Sequence, residues 1–184
     1  MSEPLHTLKH EHRVIERALR ALDGVCIRLE WGDPVPSAAL TQLVEFINEF
    51  ADRFHHGKEE AYLFPALERR GIVRKGGPLA AIQGQHEIER ELTAEMRRAL
   101  EEFKDLHSES RQNFVKAARR YVDHLIAHMQ TEDSILFRLA EEILEETDIV
   151  EMKEAFERAE SELSPRTRAE YETLASELED TWVV

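Results

Sequence analysis

Two stretches decide the fold: His55-His56-Gly57-Lys58-Glu59-Glu60-Ala61-Tyr62-Leu63-Phe64 and His128-Met129-Gln130-Thr131-Glu132-Asp133-Ser134-Ile135-Leu136-Phe137. Aligned on their first histidines, both carry a glutamate four residues on and end in a Leu-Phe pair. Each is preceded, at nearly the same separation, by another histidine: His12 before the first stretch and His86 before the second. The chain therefore reads as a duplication whose halves each offer one lone His and one His-x-x-x-Glu. On an α-helix, residues four apart lie about 40° apart and one turn up, so each His-Glu pair can address one point in space. Two helical hairpins packed together would aim all four contributions inward.

The flanking pattern is helical throughout. Leu5, Leu8, Ile15 and Leu19 fall within about 60° of His12 on a helical wheel, whereas His6 and His10 lie about 120° and 160° away and should face solvent. A first helix is predicted from Pro4 to about Glu30, closed by Trp31-Gly-Asp-Pro-Val-Pro36. Ser37 reads as the N-cap of a second helix with Leu40, Val44, Ile47 and Ala51 on one face, and Pro65 predicts a kink or local break in it. Gly71 and Lys75-Gly-Gly-Pro78 separate it from a third helix running to about Leu106. A fourth starts at Ser108 or Ser110 and runs to about Glu146, with Phe114, Ala117, Tyr121, Ile135 and Leu139 within about 40° of His128. Two shorter helices follow, near 148–162 and 165–181, separated by Ser164-Pro165. The resulting class is all-α: a four-helix up-down bundle over 1–145, with a C-terminal helical extension over 146–184 packed on the same domain.

Composition narrows the function classes. The formal net charge of −14 over 184 residues argues against a nucleic-acid or anionic-membrane surface, since both need clustered positive charge. A single cysteine, Cys26, allows no internal disulfide and suits a reducing compartment. There is neither an apolar signal core nor an apolar run of membrane-spanning length, so a cytoplasmic location is expected.

Burying two carboxylates among four imidazoles without a cation would cost several kcal/mol per unpaired charge. His12, His55, Glu59, His86, His128 and Glu132 therefore read as metal ligands. Without a thiolate cluster, a Cys-rich structural zinc site is excluded. The set is too rich in nitrogen for calcium or magnesium and suits iron, manganese or zinc. A carboxylate can bridge two ions, so one glutamate from each hairpin supports a dinuclear centre with charge to spare for a hydroxide or oxo bridge and an outside ligand.

Helical phase separates His55 and Glu59 from their neighbours. Val44, Ala51 and Tyr62 share the face of His55, while Glu45, Glu49, Asp52 and Arg53 surround the direction of His56, which describes a solvated face. His56 and Glu60 are accordingly expected to form a supporting or surface pair. Tyr62 and Tyr121 are expected to line the interior. His124, one turn before His128, is a candidate supporting group or additional ligand, and Cys26 an inward apolar filler. Asp133, beside Glu132, becomes the alternative carboxylate if a π-bulge shifts the register.

These motifs resemble the hemerythrin-like family, the HHE cation-binding domain. The resemblance rests on Glu11-His12-Arg-Val-Ile15, on His55-His56-Gly-Lys-Glu59-Glu60-Ala-Tyr-Leu-Phe-Pro65, on Gln85-His86-Glu87 and on His128-Met-Gln-Thr-Glu132-Asp133-Ser-Ile-Leu-Phe137, in that order. It covers residues 5 to about 140, and the remainder resembles the tails of bacterial stand-alone members. The resemblance implies a non-haem centre of two iron ions, bridged by carboxylates and an oxo or hydroxo group. It also implies binding of dioxygen, peroxide or nitric oxide in stress response or sensing. The ligand pattern is similar to the His…His-x3-Glu…His…His-x3-Glu subset, with Arg90 where oxygen carriers place a second histidine one turn along the third helix. A di-iron enzyme that decomposes peroxide or oxidises iron is the alternative. A sensor acting through a protein partner or a second copy of the chain is another.

Overall fold

The structure, a computed structural model, describes residues 2–102, 108–162 and 166–183. Helix α1 spans Glu3–Trp31. Helix α2 covers 37–69 and changes character along its length: α-helical over Ser37–Phe46, π-helical over Ile47–His56 and Glu59–Leu63, and α-helical again over Phe64–Arg69. Helix α3 spans Pro78–Glu102. Helix α4 covers 108–143, with a π segment at Glu132–Leu136 between Ser108–Thr131 and Phe137–Ile143. Helices α5 (Glu146–Glu162) and α6 (Arg168–Trp182) complete the described chain. The expected end of α3 near Leu106 and the Ser164-Pro165 separator lie outside the described residues.

Two expectations about α2 need correcting. Ser37 is the first helical residue rather than the cap; Pro36 precedes it, and its lack of an N–H costs nothing at a helix start. At Pro65 the helix neither breaks nor stops. The Phe64 N–H bonds the Glu59 carbonyl five residues back, so a π turn takes up the irregularity just before the proline.

Helices α1 to α4 form a ring, α1 against α2 and α4, and α3 against α2 and α4. Neighbouring helices are antiparallel: Asp23–Arg119 and Arg13–Asp133 join α1 to α4, Asp52–Arg90 and Glu60–His86 join α2 to α3, and Glu89–His124 and Gln85–His128 join α3 to α4, with residue numbers rising on one helix as they fall on the other. Helix α6 lies outside this ring and parallel to α1, with Arg17 and Arg20 both on Glu179 and Arg28 over the Trp182 ring. Its Tyr171, Leu174, Ala175 and Leu178 are buried. A capping box starts it: the Thr167 hydroxyl accepts from the Glu170 N–H, and the Glu170 carboxylate accepts from the Thr167 N–H. Gly24 is where α1 and the end of α6 come closest; a Cβ there would run into the Trp182 carbonyl.

The apolar interior is divided in two. The larger cluster runs from Val14 to Leu29 of α1 and includes Phe46, Phe50, Phe54, Leu92, Met96, Phe114, Tyr121 and Leu125. The smaller holds Leu5, Leu8, Leu63, Phe64, Leu67, Leu79, Ile82, Leu136 and Phe137. On every bundle helix a histidine sits at the boundary: His12 between Leu8 and Ile15, His55 between Phe54 and Leu63, His86 between Ile82 and Leu92, and His128 between Leu125 and Leu136. The fold thus holds a polar layer between two apolar plugs that keep water from it.

Candidate metal centre

The six sequence-derived residues His12, His55, Glu59, His86, His128 and Glu132 are all fully buried in that layer. A seventh joins them. His56 has 1% exposure and lies with Glu59, His86 and His128 in one group of potential ligand atoms; His12, His55, Glu59 and Glu132 form the other. In each group all ligand atoms lie within 4.8 Å of one another, and Glu59 belongs to both. Glu132 also reaches both, 3.3 Å from His12 Nε2 and 3.2 Å from His128 Nε2.

The solvated face assigned to His56 is therefore wrong, and the reason lies in the backbone. A π turn closes on residue i+5 rather than i+4, so each residue advances less than the α value of 100°, by on the order of 10–20°. Over the ten residues Ile47–His56 that lag grows to on the order of 100° and turns His56 inward beside His55. The π turn at Glu132–Leu136 acts likewise on α4: Ile135, expected inside, is 62% exposed, while Leu136 and Phe137 are buried. Tyr62 is only partly buried, packing on Phe156, whereas Tyr121 is in the larger apolar cluster.

The geometry follows the sequence duplication as a pseudo-two-fold. The Phe64 N–H closes a π turn on the Glu59 carbonyl, and the Phe137 N–H closes one on that of Glu132. Each phenylalanine stacks on the lone histidine of the other half: Phe64 on His86 at 6.0 Å and Phe137 on His12 at 5.4 Å between ring centroids. Two of the four outer nitrogens also pair across the halves, and two pair within them. Glu60, after Glu59, accepts from His86 Nδ1 at 2.7 Å; Asp133, after Glu132, accepts from His12 Nδ1 at 3.0 Å. Glu11, before His12, accepts from His55 Nδ1 at 3.0 Å; Gln85, before His86, accepts from His128 Nδ1 at 2.9 Å. Asp133 is thus a supporting residue here, held in turn by Arg13. Four imidazoles are oriented with Nε2 inward, the arrangement that presents a lone pair to a metal.

The inner atoms are left without partners. Both oxygens of Glu59 and of Glu132, and Nε2 of His56, His86 and His128, are buried with no hydrogen bond. Burial pushes the Glu59 carboxyl up to about 8 and that of Glu132 well above its usual range. Burial also lowers His55 to about 3, and His56 and His128 far below the ordinary imidazole range. His55, His56, His86 and His128 are held neutral by burial, the carboxylates lack counter-charge, and all point at one another; cations at the centre would resolve these deficits. Spacing agrees: two ligands at about 2.1 Å from one ion and at right angles stand about 3.0 Å apart, and His12 Nε2 is 3.0 Å from His55 Nε2. The residues fit a pair of metal ions.

Around this centre, burial alone would raise Glu11, but the Lys58 ammonium and His55 hold it at about 2. Lys58 is itself fully buried, bonded to Glu11, 3.9 Å from the Phe54 ring and 5.1 Å from that of Phe156 on α5. His124 donates from Nδ1 to Glu89 at 2.9 Å, and Glu89 is buried beside His56. Burial, with Glu59 and Asp52 nearby, pushes the Glu89 carboxyl up to about 9. Cys26 is buried and its thiol is pushed up to about 12 by burial, which leaves it inert.

The bundle and its histidine–carboxylate layer define a metal-binding helical protein. Residues 3–140 match the hemerythrin HHE cation binding domain, and residues 77–180 match it again. The chain belongs to that family. Uncharacterized proteins of Mycobacterium tuberculosis and Mycobacterium bovis are similar to it, at 26% identity over 150 residues, 82% of this chain. The chain spans 58% of the length of these curated relatives. No solved structure matches it. Among the described residues, no helix is long and apolar enough to cross a membrane.

Proposed function

We propose that this chain is a non-haem di-iron protein whose centre takes up dioxygen, peroxide or nitric oxide in response to, or in sensing of, oxidative or nitrosative stress. The observation that carries the reading is the pair of ligand groups sharing Glu59. His12, His55 and Glu132 would hold one ion, His56, His86 and His128 the other, and Glu59, common to both groups, would serve the two. When bound, two irons supply one-electron redox chemistry and a coordination position for a small ligand. The chain's own part is to hold four imidazoles by their outer nitrogens and to keep water out with the apolar clusters above and below. The group with two histidines would offer fewer imidazoles to its ion and so would leave more room there for an outside ligand.

A second reading, a sensor working through a protein partner, draws on one contact. Glu11, which orients His55, also lies 3.6 Å from Nε of Arg168 at the start of α6, so a change at His55 has a route to the C-terminal helices. Metal analysis after iron loading, with absorption spectra before and after oxygen, peroxide and nitric oxide, tests the main reading. About two irons per chain and ligand-dependent new bands are expected. One tightly held zinc and no iron would sink it, and sustained turnover of peroxide would move the protein to the enzyme class.

A further inference from the structure

The pseudo-two-fold has a one-sided exception. His56 corresponds to Met129 in the other half, and Glu89, three residues after His86 on α3, corresponds to Ile15. Both additions fall beside the same ion position. Glu89 is 2% exposed; one oxygen is used by His124, and the other, Oε2, has no hydrogen-bond partner and lies 3.5 Å from His56 Nε2. Nε2 of His56 is unpartnered as well.

A carboxylate on the solvent side of a helix would need no explanation. This one is carried inward, half-satisfied, against a nitrogen that is itself free, which is costly unless something lies between them. Two atoms bound to one ion at about 2.0–2.2 Å, at angles between about 90° and 110°, stand about 2.8–3.6 Å apart. The separation of Glu89 Oε2 from His56 Nε2 falls in that interval.

Resting on the di-metal reading above, we propose that Glu89 is a third carboxylate of the centre, a ligand to the three-histidine ion, with His124 as its positioning residue. Glu59, Glu132 and Glu89 then give the site three negative charges, two shared between the ions and one confined to the three-histidine position. That makes the two ions unequal, favours the more oxidised state at the Glu89 side, and leaves the two-histidine ion as the less saturated of the pair.

The test uses the full iron-loaded chain and the variants Glu89→Gln and His124→Ala. Glutamine keeps the size of Glu89 but removes its charge. The expected result is metal loss from one position that is roughly 10- to 100-fold easier than in the parent, the range seen when groups supporting a metal are removed. In Mössbauer spectra one of two iron signals should move while the other stays, and the reduction potential should rise. His124→Ala, at a partly exposed residue, should shift the same signal by less. If Glu89→Gln does not fold, His124→Ala carries the test alone: movement of one iron signal supports the proposal, and an unchanged spectrum overturns it. Two variants matching the parent in iron retention and spectrum would also overturn it. A parent chain that holds no pair of irons refutes the di-metal reading instead, before any variant is compared.

Discussion

His56→Ala tests the π-helical register of α2 directly. If residues 47–56 were a regular α-helix, His56 would share a face with Glu45, Glu49 and Asp52, and its loss would change little. In the structure its ring is 1% exposed, stacks on His86 at 4.0 Å and lies in one ligand group with Glu59, His86 and His128. On the two-ion reading, the variant therefore removes one of three imidazoles from one ligand group and none from the other. The affinity lost should be no less than the 10- to 100-fold seen for groups that only support a ligand, about 1.4–2.7 kcal/mol. The assay is metal content after dialysis against a graded series of chelator concentrations, with His55→Ala as the matched variant at the other ion. Each variant should fall from two metals to about one at chelator levels that leave the parent loaded. A His56→Ala chain that keeps both metals and the parent spectrum would refute the π-register argument and return His56 to the surface.

Three other perturbations have definite signs. Chelation should lower the melting temperature, because metal held only by the folded chain stabilises it by about 4 kcal/mol at a thousand times its dissociation constant; at roughly 2–4 °C per kcal/mol for a chain of this size the fall is on the order of 10 °C, and an unchanged melting curve after verified metal removal would mean the histidines are only core residues. Lys58→Met leaves the buried Glu11 with only the more distant Arg168, 3.6 Å away, in place of its directly bonded ammonium, and should cost up to about 3–5 kcal/mol, read by chemical denaturation; a change under 1 kcal/mol would show that the Lys58–Glu11 pair is dispensable. Asp148 bonds Arg69, Arg70 and the Glu145 N–H. Burial opposes its ionisation, but these partners hold the carboxyl below its ordinary value. Its contribution is therefore present above the unfolded value and lost as pH falls through the lowered one, so Asp148→Asn should cost on the order of 1 kcal/mol at neutral pH and flatten the acid limb of the stability curve below about pH 4.

The duplication made the bundle legible in the sequence. Leu5, Leu8, Ile15 and Leu19 keep a helical period around His12, and the burial of His12 with the exposure of His6 and His10 follows from that phase alone. Paired His-x-x-x-Glu motifs and matching lone histidines identified six residues that the structure brings into one buried layer. The supporting acceptors were legible in part: Glu11 and Gln85 each precede a lone histidine, and Glu60 and Asp133 each follow a glutamate of the motif, a signal the repeat contains once it is aligned. Glu89 carries no such signal, because its counterpart is Ile15.

What the sequence by itself determined is the set of residues whose position depends on local period: which faces of α1, α3 and the first part of α4 turn inward, and that histidine and glutamate would meet there. What only the tertiary structure decided is where that period changes and which neighbours of the motif residues turn in or out as a result. The stretches Ile47–His56, Glu59–Leu63 and Glu132–Leu136 are π-helical, and no propensity or spacing rule distinguishes them from α-helix, since the preference for i+5 over i+4 bonds arises from packing between helices rather than from the residues themselves. The physical consequence is specific: the accumulated lag, on the order of 100° by His56 and less over the shorter Glu132–Leu136 stretch, brings His56 into the layer, turns Ile135 out, and sets Phe64 and Phe137 over histidines of the opposite hairpin.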